Sequence, residues 1–166
     1  PMLRPQDIWN VSCVGGWTAG NYVGPARDVA RFAYELYNRE RPRIVSAASQ
    51  ALLTNFTAPG PSGGAFKFYG MGTFSLDWSV GDAEAYGHVG DTYGYQSQTT
   101  YFPGEDFVLT VATNVETVSQ AQPADFTCLA YHAAIAVIND TPRLKCSFSV
   151  PQRFIGICSC QGDTIV

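Results

Sequence analysis

Residues 86–114, YGHVGDTYGYQSQTTYFPGEDFVLTVATN, decide the fold of this chain. Aromatic and β-branched residues, which favour strands, fill Tyr95 to Phe102 and Phe107 to Asn114, and a third run covers Ala85 to Val89. The link Pro103-Gly104-Glu105-Asp106 is typical of a hairpin turn, because proline and glycine suit the backbone angles of such turns. The stretch therefore predicts an antiparallel meander.

Upstream of the meander, two helices and one more strand are predicted. Pro25 suits the first turn of a helix, and apolar residues then recur at three- and four-residue spacing. These residues are Val29, Phe32, Ala33 and Leu36. Such spacing predicts an amphipathic helix with one buried face. A shorter helix from Ser46, its N-cap, to Leu53 and a strand from Phe68 to Trp78 are expected to follow.

Downstream of the meander, Ala124 to Asn139 is alanine-rich and apolar nearly all round, which predicts a helix buried against the sheet. Two helices, a run of strands and a final helix make an α+β fold, in which helices flank an antiparallel sheet. We divide the chain into a domain portion, 1–140, and a cysteine-containing tail, 141–166.

Composition limits the class of protein. A chain of 166 residues with 46% apolar and 14% charged residues is a globular sequence of one domain or part of one. The net charge of -4 gives no basic patch for nucleic acid or an anionic membrane surface, so neither partner is expected. The longest apolar run, Leu129 to Ile138, is too short to span a bilayer.

Cysteines and glycosylation sequons together indicate secretion. Three N-x-[ST] sequons occur, at Asn10, Asn55 and Asn139. Five candidates for disulfide bonds accompany them: Cys13, Cys128, Cys146, Cys158 and Cys160. This combination favours an oxidising, extracellular location. Because five is odd, at least one thiol is left free or bridges to another chain.

Two stretches of the chain carry patterns in a fixed order. Tyr86 to Asn114 has the form G-H-x-G-x-x-x-G-[FY]-x-S, a turn, and V-x-x-x-x-N, while Ala19 to Phe32 contains A-R-D-V-A-R-F after a glycine. Both resemble the serine β-lactamase and penicillin-binding-protein family, which includes class C β-lactamases, D-alanyl-D-alanine peptidases and related esterases. Tyr69-Gly70-Met71-Gly72 lies between them, as in that family. The resemblance covers about residues 17–139 and implies the C-terminal portion of the family's fold.

The resemblance also implies which residues line a site. His88-Val89-Gly90 takes the place of the family's K-T-G motif on the strand beside the nucleophile. His88 would then be the hydrogen-bond donor, Gly90 would let the substrate approach, and Asp91 would lend its backbone N–H to an oxyanion hole. Asp91 is equally compatible with an ordinary turn residue.

Other residues near this motif have simpler interpretations. Tyr93 and Tyr95 are candidate substrate contacts, although aromatic residues at such positions more often only pack in the sheet or at its rim. Ser97 belongs to the strand pattern, and no base lies next to it in sequence. His132, in an apolar helix, is expected to pack. With only two histidines, far apart, no metal site is predicted, and no cofactor is expected.

The nucleophile itself is missing from the sequence. Gly64 and Pro142 lie three residues before the only lysines, Lys67 and Lys145, so no S-x-x-K occurs; nor does Y-x-N. In the family both motifs lie upstream of the first helix seen here. The resemblance therefore implies that an N-terminal half or partner chain of the same fold supplies the nucleophile.

Three functions follow as hypotheses. The first is one portion of a secreted serine hydrolase that performs acyl transfer on a small-molecule or peptide substrate, an amide or an ester. The second is a non-catalytic secreted protein that uses the same scaffold for binding or structure. The third, an unrelated disulfide-stapled binding domain, requires accidental agreement of the motifs. β-Lactam, peptide and ester hydrolysis share this strand, so the sequence leaves the substrate open.

Overall fold

A computed structural model gives the fold of the chain. It describes residues 20, 22–40, 44–59, 68–81, 83–92, 94–117, 120–140, 144–149 and 157–162. In the last two ranges and at residues 58–59, only the backbone is described. Within these residues the structure is α+β, with an antiparallel sheet between helices, as predicted.

The first helix, α1 (Ala26–Tyr37), begins one residue after Pro25, so this proline precedes the first turn rather than lying in it. The Pro25 carbonyl accepts the N–H groups of Asp28 at 2.9 Å and Val29 at 3.3 Å, and these bonds close the first turn of the helix. The amphipathic helix is confirmed, but its apolar stripe is only partly buried. Ala33 and Tyr37 are buried, whereas Phe32 is 55% exposed.

The second helix, α2 (Ala47–Leu53), is confirmed together with its cap. The Ser46 hydroxyl accepts the N–H of Ser49 at 3.2 Å. Gln50 is buried and donates from its side-chain amide to the carbonyls of Leu36 and Asn38, each at 2.9 Å. These bonds tie α2 to the end of α1.

Among the described residues, six strands form a meander in which each strand is antiparallel to the next. They are β1 (Ala58–Pro59), β2 (Phe68–Tyr69), β3 (Phe74–Ser75), β4 (Tyr86–Thr92), β5 (Tyr95–Phe102) and β6 (Phe107–Thr113). The longest pairings are β4 with β5 and β5 with β6, so the stretch that decided the fold forms the centre of the sheet.

The single strand predicted from Phe68 to Trp78 was wrong. It is divided into β2, a tight turn, β3 and a short 3₁₀ turn, Asp77–Ser79. Gly72 has a φ of +75°, which favours glycine, and a side chain at Gly70 would overlap the backbone carbonyl of Leu53. The two glycines thus bend the chain where α2 comes close to it.

The predicted hairpin turn at 103–106 is confirmed, and its last residue anchors α1. Asp106 has a positive φ of 54°. Its carboxylate accepts hydrogen bonds from the hydroxyls of Tyr34 and Tyr101 and from the amide of Asn38, each at 2.8 Å. Desolvation by burial and the adjacent Asp106 carboxylate raise the pKa of Tyr101.

The third helix, α3 (Ala121–Ile138), covers one face of the sheet. The core below it contains Leu76, Val80, Ala85, Phe102 and Tyr131. Burial against the sheet is therefore confirmed for this side of α3. Elsewhere on α3, Phe126, Leu129 and Val137 are exposed.

On the opposite face of the sheet, α1 packs over a smaller cluster of Ala33, Tyr37, Tyr86 and Tyr101. In the tail, whose structure the sequence did not predict, β7 (Leu144–Ser149) and β8 (Ile157–Gly162) form a separate antiparallel pair. β7 lies beside α3. None of the described helices combines the length and the apolar character needed to cross a membrane.

Candidate functional site

An open cavity of about 720 Å³ lies between α1 and the sheet. One wall is apolar and comes from α1, with Val29, Phe32 and Leu36. The other wall is polar and comes from the sheet, with His88, Gly90, Ser97, Thr99 and Tyr69.

Strand register explains why these sheet residues share the cavity. His88 is opposite Thr99 and Gly90 is opposite Ser97 in the β4–β5 pair. Because side chains alternate between the faces of a strand, residues at 88, 90, 97 and 99 lie on the same face of the sheet as Tyr86 and Tyr101, the face that α1 covers. Two of the three residues predicted to form the site, His88 and Gly90, are thus brought together in the cavity.

His88 is exposed, and both of its ring nitrogens have partners. Nδ1 lies 2.6 Å from the Val89 carbonyl oxygen, and Nε2 lies 3.1 Å from the Tyr69 hydroxyl. A carbonyl oxygen can only accept, so Nδ1 carries the proton. In the neutral ring Nε2 is then an acceptor, and the Tyr69 hydroxyl donates to it. Phe74 also contacts the ring, with centroids 4.9 Å apart, so the imidazole is held on several sides.

Gly90 keeps space open above Ser97. A Cβ atom at position 90 would lie 2.5 Å from the Ser97 hydroxyl, so a larger residue would displace that side chain. Within the described residues, no hydrogen bond joins Ser97 to His88, whose nitrogens are engaged by Val89 and Tyr69. Ser97 therefore lines the cavity without a base beside it.

The carboxylate of Asp91 points away from the cavity. Asp91 is opposite the buried Gln96, whose amide donates to the Asp91 carboxylate at 3.2 Å. Gln96 is also bound to Thr117, donating to its carbonyl at 2.8 Å and accepting its N–H at 2.9 Å. A negative side chain would oppose an oxyanion, and this network removes it from that side of the strand. The role of the Asp91 N–H stays a prediction.

Gln120, which was not predicted from the sequence, forms a hydrogen bond with the backbone of β4. It immediately precedes α3 in the left-handed conformation, with φ 60°, and its buried side-chain amide donates to the Gly90 carbonyl at 3.0 Å. A left-handed conformation is uncommon for a residue other than glycine. The contact therefore fixes the strand at the residue that resembles the K-T-G glycine.

Of the two tyrosines predicted as substrate contacts, the structure describes only Tyr95. Tyr93 lies outside the described residues. Tyr95 begins β5, is half exposed and does not line the cavity. Tyr69 and the α1 residues line it instead. The sequence had placed Tyr69 in a family-like motif, but its proximity to His88 depends on the β2–β3 turn, which was not predicted.

His132 packs away from His88, as expected. It lies in α3 with its ring 5.0 Å from that of Tyr131, centroid to centroid. Burial lowers the pKa of His132, although a hydrogen bond with the backbone of Val80 opposes this effect.

The sequons and cysteines are placed as follows. Asn55 lies just after α2 and Asn139 just after α3, and both are exposed, while Asn10 lies outside the described residues. Cys128 is fully buried in α3. In the backbone register of the tail, Cys146 is directly opposite Cys160, and Cys158 lies two residues before Cys160 on β8. Cys13 also lies outside the described residues.

The described lining of the cavity is free of Lys, Arg, Asp and Glu. The described part of the chain also brings together no group of three or more His, Cys, Asp or Glu side chains that could bind a metal. The cavity can thus position a substrate through hydrogen bonds and apolar contact.

Comparison with known proteins gives one match. A sequence model described as Beta-lactamase matches residues 2–133, which is most of the chain. No match is found among curated proteins or among solved structures.

Proposed function

Because the chain belongs to the β-lactamase family and has that family's serine hydrolase-like scaffold, we propose that it forms one wall of a serine hydrolase active site. The reaction is acyl transfer from an amide or ester. An N-terminal segment or partner chain of the same fold supplies the nucleophilic serine and its lysine. The observation that carries this proposal is the open cavity in which His88 and Gly90 of β4 face α1.

The outer edge of β4 supports this role. β3 pairs with β4 only at Tyr86 and Gly87, so from His88 to Thr92 the described residues pair with one edge of β4 alone. Backbone groups on an unpaired edge can bind an extended substrate or an oxyanion. The free edge adjoins the cavity, as a site for acyl transfer requires.

Each predicted site residue has a distinct role in this proposal. His88 positions the reacting groups through the Tyr69 hydroxyl, which lies 3.1 Å from its Nε2 on the cavity wall, and Gly90 lets the acyl group come close to the strand. The Asp91 N–H binds the oxyanion, while the bond with Gln96 directs its carboxylate elsewhere. Tyr93 and Tyr95 are proposed to contact the more distant part of the substrate.

A serine-directed fluorophosphonate tests the proposal on the full-length protein that carries this chain. We expect one serine to be labelled, within an S-x-x-K that lies outside these 166 residues, and peptide mapping locates it. Heat-denatured protein is the control, because labelling depends on an assembled site. A label on a serine of this chain, or none on the folded protein, would contradict the proposal.

A non-catalytic secreted binding protein is the second candidate function. The absence of both S-x-x-K and Y-x-N from the sequence favours it. Under this alternative, folded protein with intact tertiary structure by near-ultraviolet circular dichroism remains unlabelled by the fluorophosphonate.

We also propose that the protein is a secreted glycoprotein with disulfide bonds. Asn55 and Asn139 are exposed, so an oligosaccharide can be attached at either without disturbing the core. Cys128 is fully buried in α3, and a disulfide bond proposed at this position would require an oxidising compartment. Peptide N-glycosidase treatment of protein from the native source should increase its electrophoretic mobility. Unchanged mobility would argue against glycosylation.

A further inference from the structure

We propose that the acyl group bound by this cavity is uncharged and apolar, such as that of a short aliphatic ester, and carries no carboxylate. This inference rests on the proposed function and specifies its substrate class.

The apolar wall of the cavity is the first argument. Val29, Phe32 and Leu36 recur along one side of α1 and face the cavity, and Phe32 remains 55% exposed. When a substrate binds, water is displaced from these side chains, and contact with an aliphatic chain in its place lowers the free energy of the complex. A carboxylate in the same place would lose hydration and gain no hydrogen bond from this wall.

The cations of α1 are the second argument, because none of them faces the cavity. At 100° per residue, Arg27 and Arg31 lie on the side of α1 opposite Val29 and Leu36. Arg31 binds Glu35 at 3.1 Å. Farther along, Arg39 binds Glu84 at 3.1 Å and lies 5.6 Å from the centroid of the Tyr86 ring, outside the lining of the cavity.

The polar wall is the third argument. Both ring nitrogens of His88 already have partners, Nδ1 with the Val89 carbonyl and Nε2 with the Tyr69 hydroxyl, so neither is left unpaired to bind a carboxylate. Val89, at the position that resembles the K-T-G threonine, also lines the cavity but has no hydroxyl, and it packs against the core under α3. The remaining groups, the hydroxyls of Ser97 and Thr99 and the backbone of β4, suit a neutral carbonyl.

The test compares two esters with equal acyl chain length, p-nitrophenyl butyrate and p-nitrophenyl hemisuccinate, on the full-length protein. The first ends in a methyl group and the second in a carboxylate. We expect kcat/KM to be higher for the butyrate by roughly 30-fold or more, since the carboxylate is desolvated without a partner. Equal values, or a higher value for the hemisuccinate, would overturn the inference.

Two arginine substitutions provide a matched pair. Phe32→Arg places a cation on the cavity wall and should reduce the preference for butyrate by about tenfold. Phe126→Arg is the control, because Phe126 is 49% exposed on the outer side of α3 and lies outside the cavity. The inference fails if the two variants change the preference equally.

The test separates the inference from the proposed function. If the fluorophosphonate labels a serine but neither ester is hydrolysed, the substrate class is wrong and the serine hydrolase proposal stands. If the folded protein is not labelled at all, the proposed function fails and the inference fails with it.

Discussion

The two faces of the sheet differ in how completely they are covered. Under α3, Leu76 and Phe102 have no exposed surface, and aromatic rings stack there from Phe102 to Tyr131 with centroids 4.6 Å apart. On the other face, α1 closes the sheet over Tyr86 and Tyr101 but leaves a cavity at His88. The same strands thus contribute stability on one face and a candidate site on the other.

Alternation along β4 explains how one strand serves both faces. The side chains at positions 88 and 90 face the cavity, whereas Val89 lines the cavity but packs against the core under α3, and Asp91 binds Gln96. Successive side chains of a strand point to opposite faces of the sheet, so a core residue and a site residue can be neighbours in sequence and still lie in different environments. Substitutions on one face should therefore affect stability, and those on the other should affect activity.

Substitution of two glycines of β4, one on each face, should give the largest difference in the loss of stability. A Cβ atom at Gly87 would overlap the backbone carbonyl of Thr99, which cannot move without breaking the β4–β5 pairing. Gly87→Ala should therefore destabilise the protein by about 4 kcal/mol or more. Gly90→Ala meets only the Ser97 hydroxyl, which can rotate, and should cost about 1 kcal/mol. Denaturant unfolding measures both, and equal losses would contradict the comparison.

Two phenylalanines give the next largest effect. Phe102 is fully buried under α3, so Phe102→Ala should lower the free energy of unfolding by about 3–5 kcal/mol. Phe32→Ala, on the open face, should cost less than about 1 kcal/mol, because that side chain is already half exposed. If Phe32→Ala were the more damaging in thermal or chemical unfolding, the face under α1 would carry the main core.

His132 should make the α3 face sensitive to acid, with a smaller effect. Burial lowers its pKa below the ordinary value of 6.5, so the unfolded chain binds a proton more readily than the folded one. The neutral His132 therefore contributes its full stability to the fold above the unfolded-state pKa of 6.5. This contribution is lost as the pH falls below 6.5 toward the folded-state pKa. His132→Gln should reduce the loss of Tm between about pH 8 and pH 5.5 by a few degrees. The difference in Tm between the variant and the native protein at pH 8 measures the effect of the substitution on packing alone. If the variant lost as much Tm at low pH as the native protein, His132 would be excluded as the cause.

Much of this fold could be predicted from the sequence, because local signals determine it. The turn at 103–106 and the β-forming runs beside it fix the central hairpin, and Ser46 fixes the start of α2. The break between β2 and β3 could not be predicted, because Gly70 is required by the carbonyl of Leu53, a contact with the distant α2. At this point a tertiary contact outweighs the local preference of the residues for a strand.

The candidate site was only half predictable. His88 and Gly90 carry the family pattern, and alternation alone could have placed Asp91 on the opposite face. Tyr69 joins His88 through the β2–β3 turn, and Gln120 reaches Gly90 across thirty residues of chain. The local sequence at Tyr69 and at Gln120 does not predict either contact. The exposed Phe32 was expected in the core because periodicity identifies an apolar face, not what covers it.

The rate of serine labelling by a fluorophosphonate in His88→Ala is the most direct test of the claim that the cavity face of β4 forms part of an active site. The Tm of the full-length variant must match that of the native protein, as expected for an exposed side chain. We expect the labelling rate to fall on the order of 100-fold. An unchanged rate in a folded variant would contradict the claim.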